Sequence, residues 1–165
     1  MKQARFIRTP SQTVGPFYSI GLDRRAENAL VDPDAPDAIR VAGRLLDGAG
    51  DPISDGLIEV WSATAGAWGR CGTADGGSFW FVLAKPPAGS AEAPRYDVFV
   101  FARGLLRHQL TRLYFPDETE ANAADGVLSG LSEADRSTLV AEQADGGLRF
   151  DIRMQGDRQT VFFEH

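Results

Sequence analysis

The sequence is poor in cysteine: Cys71 is alone among 165 residues, so no internal disulfide can form and nothing asks for an oxidising compartment. Histidine is almost as scarce. His108 and His165 are the two, and they lack the spacing of metal ligands. A zinc or iron site built on imidazole is disfavoured, because such sites need three or four N, O or S donors. Long apolar runs are missing too. The longest, 79–84 (FWFVLA), falls far below the ~20 residues that cross a bilayer as a helix. Positive charge is in deficit, with 17 Lys and Arg against 23 Asp and Glu. The resulting charge of −6 argues against a nucleic-acid partner, whose phosphates need a cationic surface. The opening MKQARFIRTP lacks the apolar core of a secretory signal. The expectation is a soluble cytoplasmic protein with no membrane partner.

Catalytic motifs are also wanting. The glycines from Gly69 to Gly77 lack the lysine of a phosphate loop and read as turns. A Ser-His-Asp arrangement using His108 with Ser129 or Ser137 has no nucleophile-elbow sequence behind it. His108 itself lies in a basic stripe and reads as a surface or interface residue.

What is present is strand signal. The chain is long enough to bury a core, and its length argues for one domain over 1–165: an arm and connector over 1–38, then a core over 39–165. Segment 9–20 holds Pro10, Gly15 and Pro16, so neither helix nor central strand is expected there, and Phe17, Tyr18 and Ile20 are the apolar groups that would pack an arm. Segment 24–30 could form a helical turn. Strands are expected at 39–46, 57–61, 79–83, 96–102, 109–115 and 160–163. Leu148, Phe150, Ile152 and Met154 alternate with polar residues, the clearest period-two pattern and a sign of one wet and one buried face. DGAGD at 47–51 predicts a hairpin or a longer return. Ser132 with Asp135 three residues on resembles a capping box; that helix would carry Leu139 and Val140 and end at Gly146-Gly147, and 118–124 would form a shorter one. These elements predict an all-β antiparallel sandwich with an N-terminal arm and one or two short helices.

The most informative stretch is 94–115, PRYDVFVFARGLLRHQLTRLYF. Alternation sends Tyr96, Val98 and Val100 to one face and Asp97, Phe99 and Phe101 to the other. A strand so apolar on both sides belongs in the interior of a sheet. Asp97 is the one acid within it, and Arg103 comes where the run stops.

TPSQTVGPFYSIGL, followed by LIEVW, FARGLL, TRLYFPDE, ANAAD, RFDIRMQG and TVFFE in this order, resembles an intradiol ring-cleavage dioxygenase from Thr9 to the C-terminus. The resemblance implies a β-sandwich and, in catalytic chains, a non-haem Fe(III) held by two tyrosines and two histidines. The histidine pair would fall at Arg95 and Asp97, so both positions are substituted. The tyrosine segments correspond to PPAGS at 86–90 and to AGAWGR at 65–70, which contain no tyrosine; Tyr18, Tyr96 and Tyr114 lie elsewhere. With those substitutions the resemblance implies an alpha-type chain that binds no cofactor and pairs with an iron-bearing beta subunit. There Thr13, Gly15, Pro16 and Arg103 would line the partner's cavity, beside a small aromatic acid at the shared interface. Gly15 permits close backbone approach, Pro16 fixes the turn, and Arg103 matches a substrate or partner carboxylate. The sequence departs from the alpha pattern at Arg95, commonly histidine, at Asp97, commonly asparagine, and in a shorter segment over 65–73. Arg95 and Asp97 either form an ion pair in the former metal pocket, or Arg95 is exposed and Asp97 bonds a loop backbone. The alternative function is a stand-alone sandwich that binds a partner or aromatic acid without oxygenase activity.

Overall fold

The computed structural model describes residues 8–15, 17–22, 27–90 and 92–164, without the side chains of residues 19 and 20. The expectations for Pro16, the Ile20 side chain, positions 24–26 and His165 lie outside these residues. Among the described residues nine strands form: β1 Ala38–Leu46, β2 Leu57–Ser62, β3 Ala67–Gly72, β4 Ser78–Ala84, β5 Arg95–Phe101, β6 Gln109–Tyr114, β7 Glu142–Ala144, β8 Gly147–Arg149 and β9 Ile152–Arg153. Among the same residues three short helices accompany them, α1 Tyr18–Leu22, α2 Thr119–Ala124 and α3 Glu133–Ser137, with a 3₁₀ turn at Leu128–Gly130.

The strands pack as two sheets. One runs β4-β1-β8-β7, with β9 also pairing β1; the other runs β3-β2-β5-β6. Neighbours are antiparallel except β8 and β9, which run parallel to β1. Val41, Leu45, Phe81 and Leu83 of the first sheet meet Ile58, Val60, Tyr96, Val98 and Val100 of the second in one buried core. β5 lies between β2 and β6, in the sheet interior where its apolar density predicts it.

Several expectations are corrected. β3 falls where turns were expected, because Gly69 makes room for a crossing segment. A Cβ there would sit 2.3 Å from Leu30 Cδ1 and 2.9 Å from the Glu27 carbonyl. Residues 27–30 bond to both sheets: Arg70 N–H donates to Glu27 O (2.9 Å), Leu30 N–H to Val82 O (2.8 Å). They close one edge of the sandwich. The 148–155 pattern keeps its buried face but splits into β8 and β9. Between them the Asp151 carboxylate, not a backbone carbonyl, accepts from Arg44 N–H (3.1 Å). Segment 160–163 forms no strand, only an isolated bridge between Leu110 and Phe163. DGAGD returns the chain to the other sheet, since β1 pairs β4 and not β2.

Ser132 caps α3 as its motif predicts, accepting from Asp135 N–H at 3.1 Å, an interaction worth about 1 kcal/mol. The helix stops at Ser137, well before the glycines, because Leu139 turns inward to full burial and bonds Tyr114 N–H through its carbonyl (2.9 Å). Gly146, at φ +79°, instead turns β7 into β8. Helix α1 begins at Tyr18, inside the stretch expected to exclude helix. Phe17 is 76% exposed and does not anchor the arm.

Candidate functional site

The outward face of β5 carries two clusters, one at each end of the strand. At its start, Asp97 Oδ1 lies 3.6 Å from Arg95 Nε and 3.4 Å from Arg112 Nε. Glu92 closes on Arg95 at 3.1 Å. Arg95 and Asp97 are therefore an ion pair, the first of the two arrangements open to the sequence. Arg112 is the member that sequence reasoning missed; it faces Asp97 by the register of β6 against β5. The three atoms Asp97 Oδ1, Arg95 Nε and Arg112 Nε are shut off from water and make no hydrogen bond. The attraction between them is coulombic. Burial works against the Arg112 charge, but hydrogen bonding to the Tyr114 hydroxyl and the nearby Asp97 and Glu92 outweigh it and raise its pKa. Beside this cluster, Trp61 and Trp68 pair across β2 and β3 and stay about 40% exposed.

The arm meets the other end of β5. Gly104 N–H donates to Thr13 Oγ1 at 2.8 Å, which joins the arm to the FARG turn. Arg103, 59% exposed, pairs through Nε with the Asp55 carboxylate. The Tyr18 hydroxyl donates to the Asp55 carbonyl. Thr13 and Arg103 thus share one corner, a strand's length from Arg95 and Asp97. Gly15 contributes its carbonyl to Tyr18 N–H (3.2 Å), and a Cβ on it would meet nothing within 4 Å. Nothing among the described residues demands glycine there. A cleft of about 440 Å³ opens between Val14 of the arm, Phe101, Leu106 and His108. His108 packs against Phe99 and Phe101 with ring centroids 5.5 and 5.3 Å away. Asp55 had no sequence signal, because its loop is short and its partners lie 37 and 48 residues distant.

Each tyrosine hydroxyl is engaged elsewhere in the fold. Tyr96 points into the core and donates to Ala84 O at 3.0 Å, and Tyr114 approaches Asp125 at 3.4 Å. Burial pushes the Tyr96 phenol up to about 12 and raises Tyr114 as well. An acid whose folded pKa exceeds its unfolded value of about 10 holds its proton more tightly in the fold. Stability is then complete below about pH 10 and falls as pH climbs toward 12, by about 2–3 kcal/mol from Tyr96. Urea midpoints measured on both sides of this window check the slope, and Tyr96→Phe should flatten it.

No protein-family profile matches the chain. Its fold is that of solved dioxygenases: the dioxygenase domain of a carbohydrate-binding fusion from Streptomyces sp. SirexAA-E (TM-score 0.62, 22% identity, 90% of this chain and 99% of that one) and an intradiol ring-cleavage dioxygenase from Tetranychus urticae (TM-score 0.60, 13% identity, 76% and 83%). These define the class as the intradiol β-sandwich. The sequence narrows it. The chain is 38% identical to the protocatechuate 3,4-dioxygenase alpha chain of Pseudomonas putida, over 94% of its own length and 96% of the relative's. It is 30% identical to the beta chain from Burkholderia cepacia over 74% and 66%. The chain belongs to the family of protocatechuate 3,4-dioxygenase alpha chains, subunits of a ring-cleaving oxidoreductase.

The expectation from the sequence is that a catalytic chain would hold ferric iron at the positions of Arg95 and Asp97. The residues here do not fit it. Arg95 and Arg112 are cations without a lone pair to donate, and the Asp97 oxygen lies between them. Among the described residues, no group of three or more His, Cys, Asp or Glu could hold a metal ion. Among the same residues, no helix is long and apolar enough to cross a membrane.

Proposed function

We propose that this chain is the non-catalytic alpha-type subunit that completes the active cavity of an iron-bearing beta subunit in the cytoplasm. The complex would cleave 3,4-dihydroxybenzoate between its hydroxyls with O2, to a muconate tricarboxylate. The partner's Fe(III) would supply the activation of the bound catecholate. The arm and both sheets are proposed to act as one domain over 1–165.

The observation that carries this reading is the contrast between the two ends of β5. Arg95 and Asp97, the positions that the resemblance gives to the metal's histidines, form an ion pair with Arg112 alongside, while the Thr13–Arg103 corner at the far end is exposed. Arg103 offers a planar fork suited to the carboxylate of an aromatic acid. Thr13 holds the arm beside that fork. Gly15, without a side chain, leaves room for a partner's backbone or ligand, and Pro16 would fix the turn of the arm.

Co-expression with the cognate beta chain tests the proposal, with a red-brown, active complex as the expected product. In that complex Arg103→Ala should raise KM for 3,4-dihydroxybenzoate about tenfold, the equivalent of one charge-assisted hydrogen bond, with little loss of assembly. A beta chain equally stable and active without this subunit would retire the proposal in favour of a free-standing binding module.

A further inference from the structure

Asp55 holds the exposed corner together from a rigid base. Its loop is pinned to fully buried Thr73, whose Oγ1 accepts from Gly56 N–H at 2.8 Å and donates to Ile53 O at 2.7 Å. Gly56 is closely packed, since an added Cβ there would lie 2.4 Å from Leu45 Cδ2. From this base Asp55 reaches two separate pieces of chain. Its carbonyl accepts from Tyr18 in α1, and its carboxylate takes the Nε edge of Arg103. With Thr13 bonded to Gly104, the links form a closed circuit of arm, FARG turn and Asp55 loop. Binding Arg103 by Nε leaves its two terminal amino groups without a partner among the described residues.

We infer that Asp55 is a positioning residue, which grips Arg103 by one edge and presents the opposite fork to the carboxylate of an aromatic acid. The inference rests on the cavity role proposed for Arg103. A long, exposed arginine loses considerable rotamer freedom when it binds an anion; one already held by a fixed carboxylate loses less. Asp55 thereby tunes affinity for carboxylated catechols without touching the reacting ring.

The test uses the reconstituted alpha–beta complex, with 3,4-dihydroxybenzoate as substrate and catechol, which lacks the carboxylate, as a competitive inhibitor. Asp55→Ala should raise KM for the acid about five- to tenfold, leaving kcat and the catechol inhibition constant unchanged. Asp55→Asn, whose amide oxygen can still accept from Nε, should recover most of that loss. In Asp55→Ala/Arg103→Ala the effect should not exceed that of Arg103→Ala alone. Arg103→Lys gives a second arm that leaves the loop intact. An ammonium has no separate edges for two carboxylates, so KM should rise nearly as far as with alanine. If Arg103→Ala raises KM while Asp55→Ala does not, or moves acid and catechol alike, the positioning role is wrong and the cavity role of Arg103 stands. Full function with lysine overturns the edge-and-fork geometry. An Arg103→Ala complex with unchanged KM removes both.

Discussion

Gly43→Ala is expected to cost the fold about 3 kcal/mol or more. Gly43 lies in the middle of β1, and the Phe150 backbone rests against it. An added Cβ would stand 1.8 Å from the Phe150 carbonyl oxygen, 2.6 Å from its carbon and 2.9 Å from the Phe79 ring. No side chain can swing aside to relieve this, because the nearest obstacle is backbone. Moving Phe150 away would break its hydrogen bond to Ala42 O (2.9 Å) and unzip β8 and β9 from β1. Overpacking against side chains costs about 1–3 kcal/mol, and against fixed backbone the cost lies at or above the top of that range. Set against a total stability of about 5–15 kcal/mol, that removes a large share of the margin, so the urea midpoint should fall and the soluble yield at 37 °C should drop. Soluble yield and the urea midpoint are the measurements. Gly126→Ala, where a Cβ would meet nothing within 4 Å, is the control. A native midpoint in Gly43→Ala would contradict the close approach of Phe150.

Asp125→Ala is expected to destabilise the chain by about 3–5 kcal/mol. Asp125 is 2% exposed, and its carboxylate accepts from Ala93 N–H (3.0 Å), Val127 N–H (2.9 Å) and Leu128 N–H (3.1 Å). Alanine would strand three backbone donors away from water, each at a cost of about 1–3 kcal/mol if unrelieved. It would also separate Ala93, just ahead of β5, from the small cluster of Tyr114, Leu128 and Leu139. Asparagine should restore part of the loss, since its oxygen can still accept on one side. Urea unfolding gives the magnitude, and faster amide exchange at 93, 127 and 128 identifies the cause. A loss below about 1 kcal/mol would mean that water or a local shift replaces the carboxylate.

The sequence displayed what is local and repetitive. The alternation in β5, its interior position and the Ser132 cap all arise from neighbouring residues, and the structure agrees with them. Long-range reasons were invisible. Gly69 looks like a turn residue until Leu30 is seen lying over it. Leu139 looks like the apolar face of a helix until Tyr114 captures its carbonyl. In the site, Arg95 and Asp97 were readable as a pair because they share one strand face, whereas Arg112 needed the β5–β6 register. Arg103 stood out because an apolar run ends beside it. Asp55 did not, as its role depends wholly on what the fold brings to it.

The parallel pairing of β8 and β9 with β1 also has a consequence for how the chain is made. Arg44 and Asp151, which meet at that seam, are 107 residues apart. On the ribosome, β1 and β4 can zip together early, yet the other side of β1 has nothing to pair with until residues 148–153 have emerged. For that interval a nascent chain displays a bare row of backbone donors and acceptors, open to strands from any neighbour. Two of the shortest strands, made well after β1, thus cover an edge that would otherwise stay open to other chains.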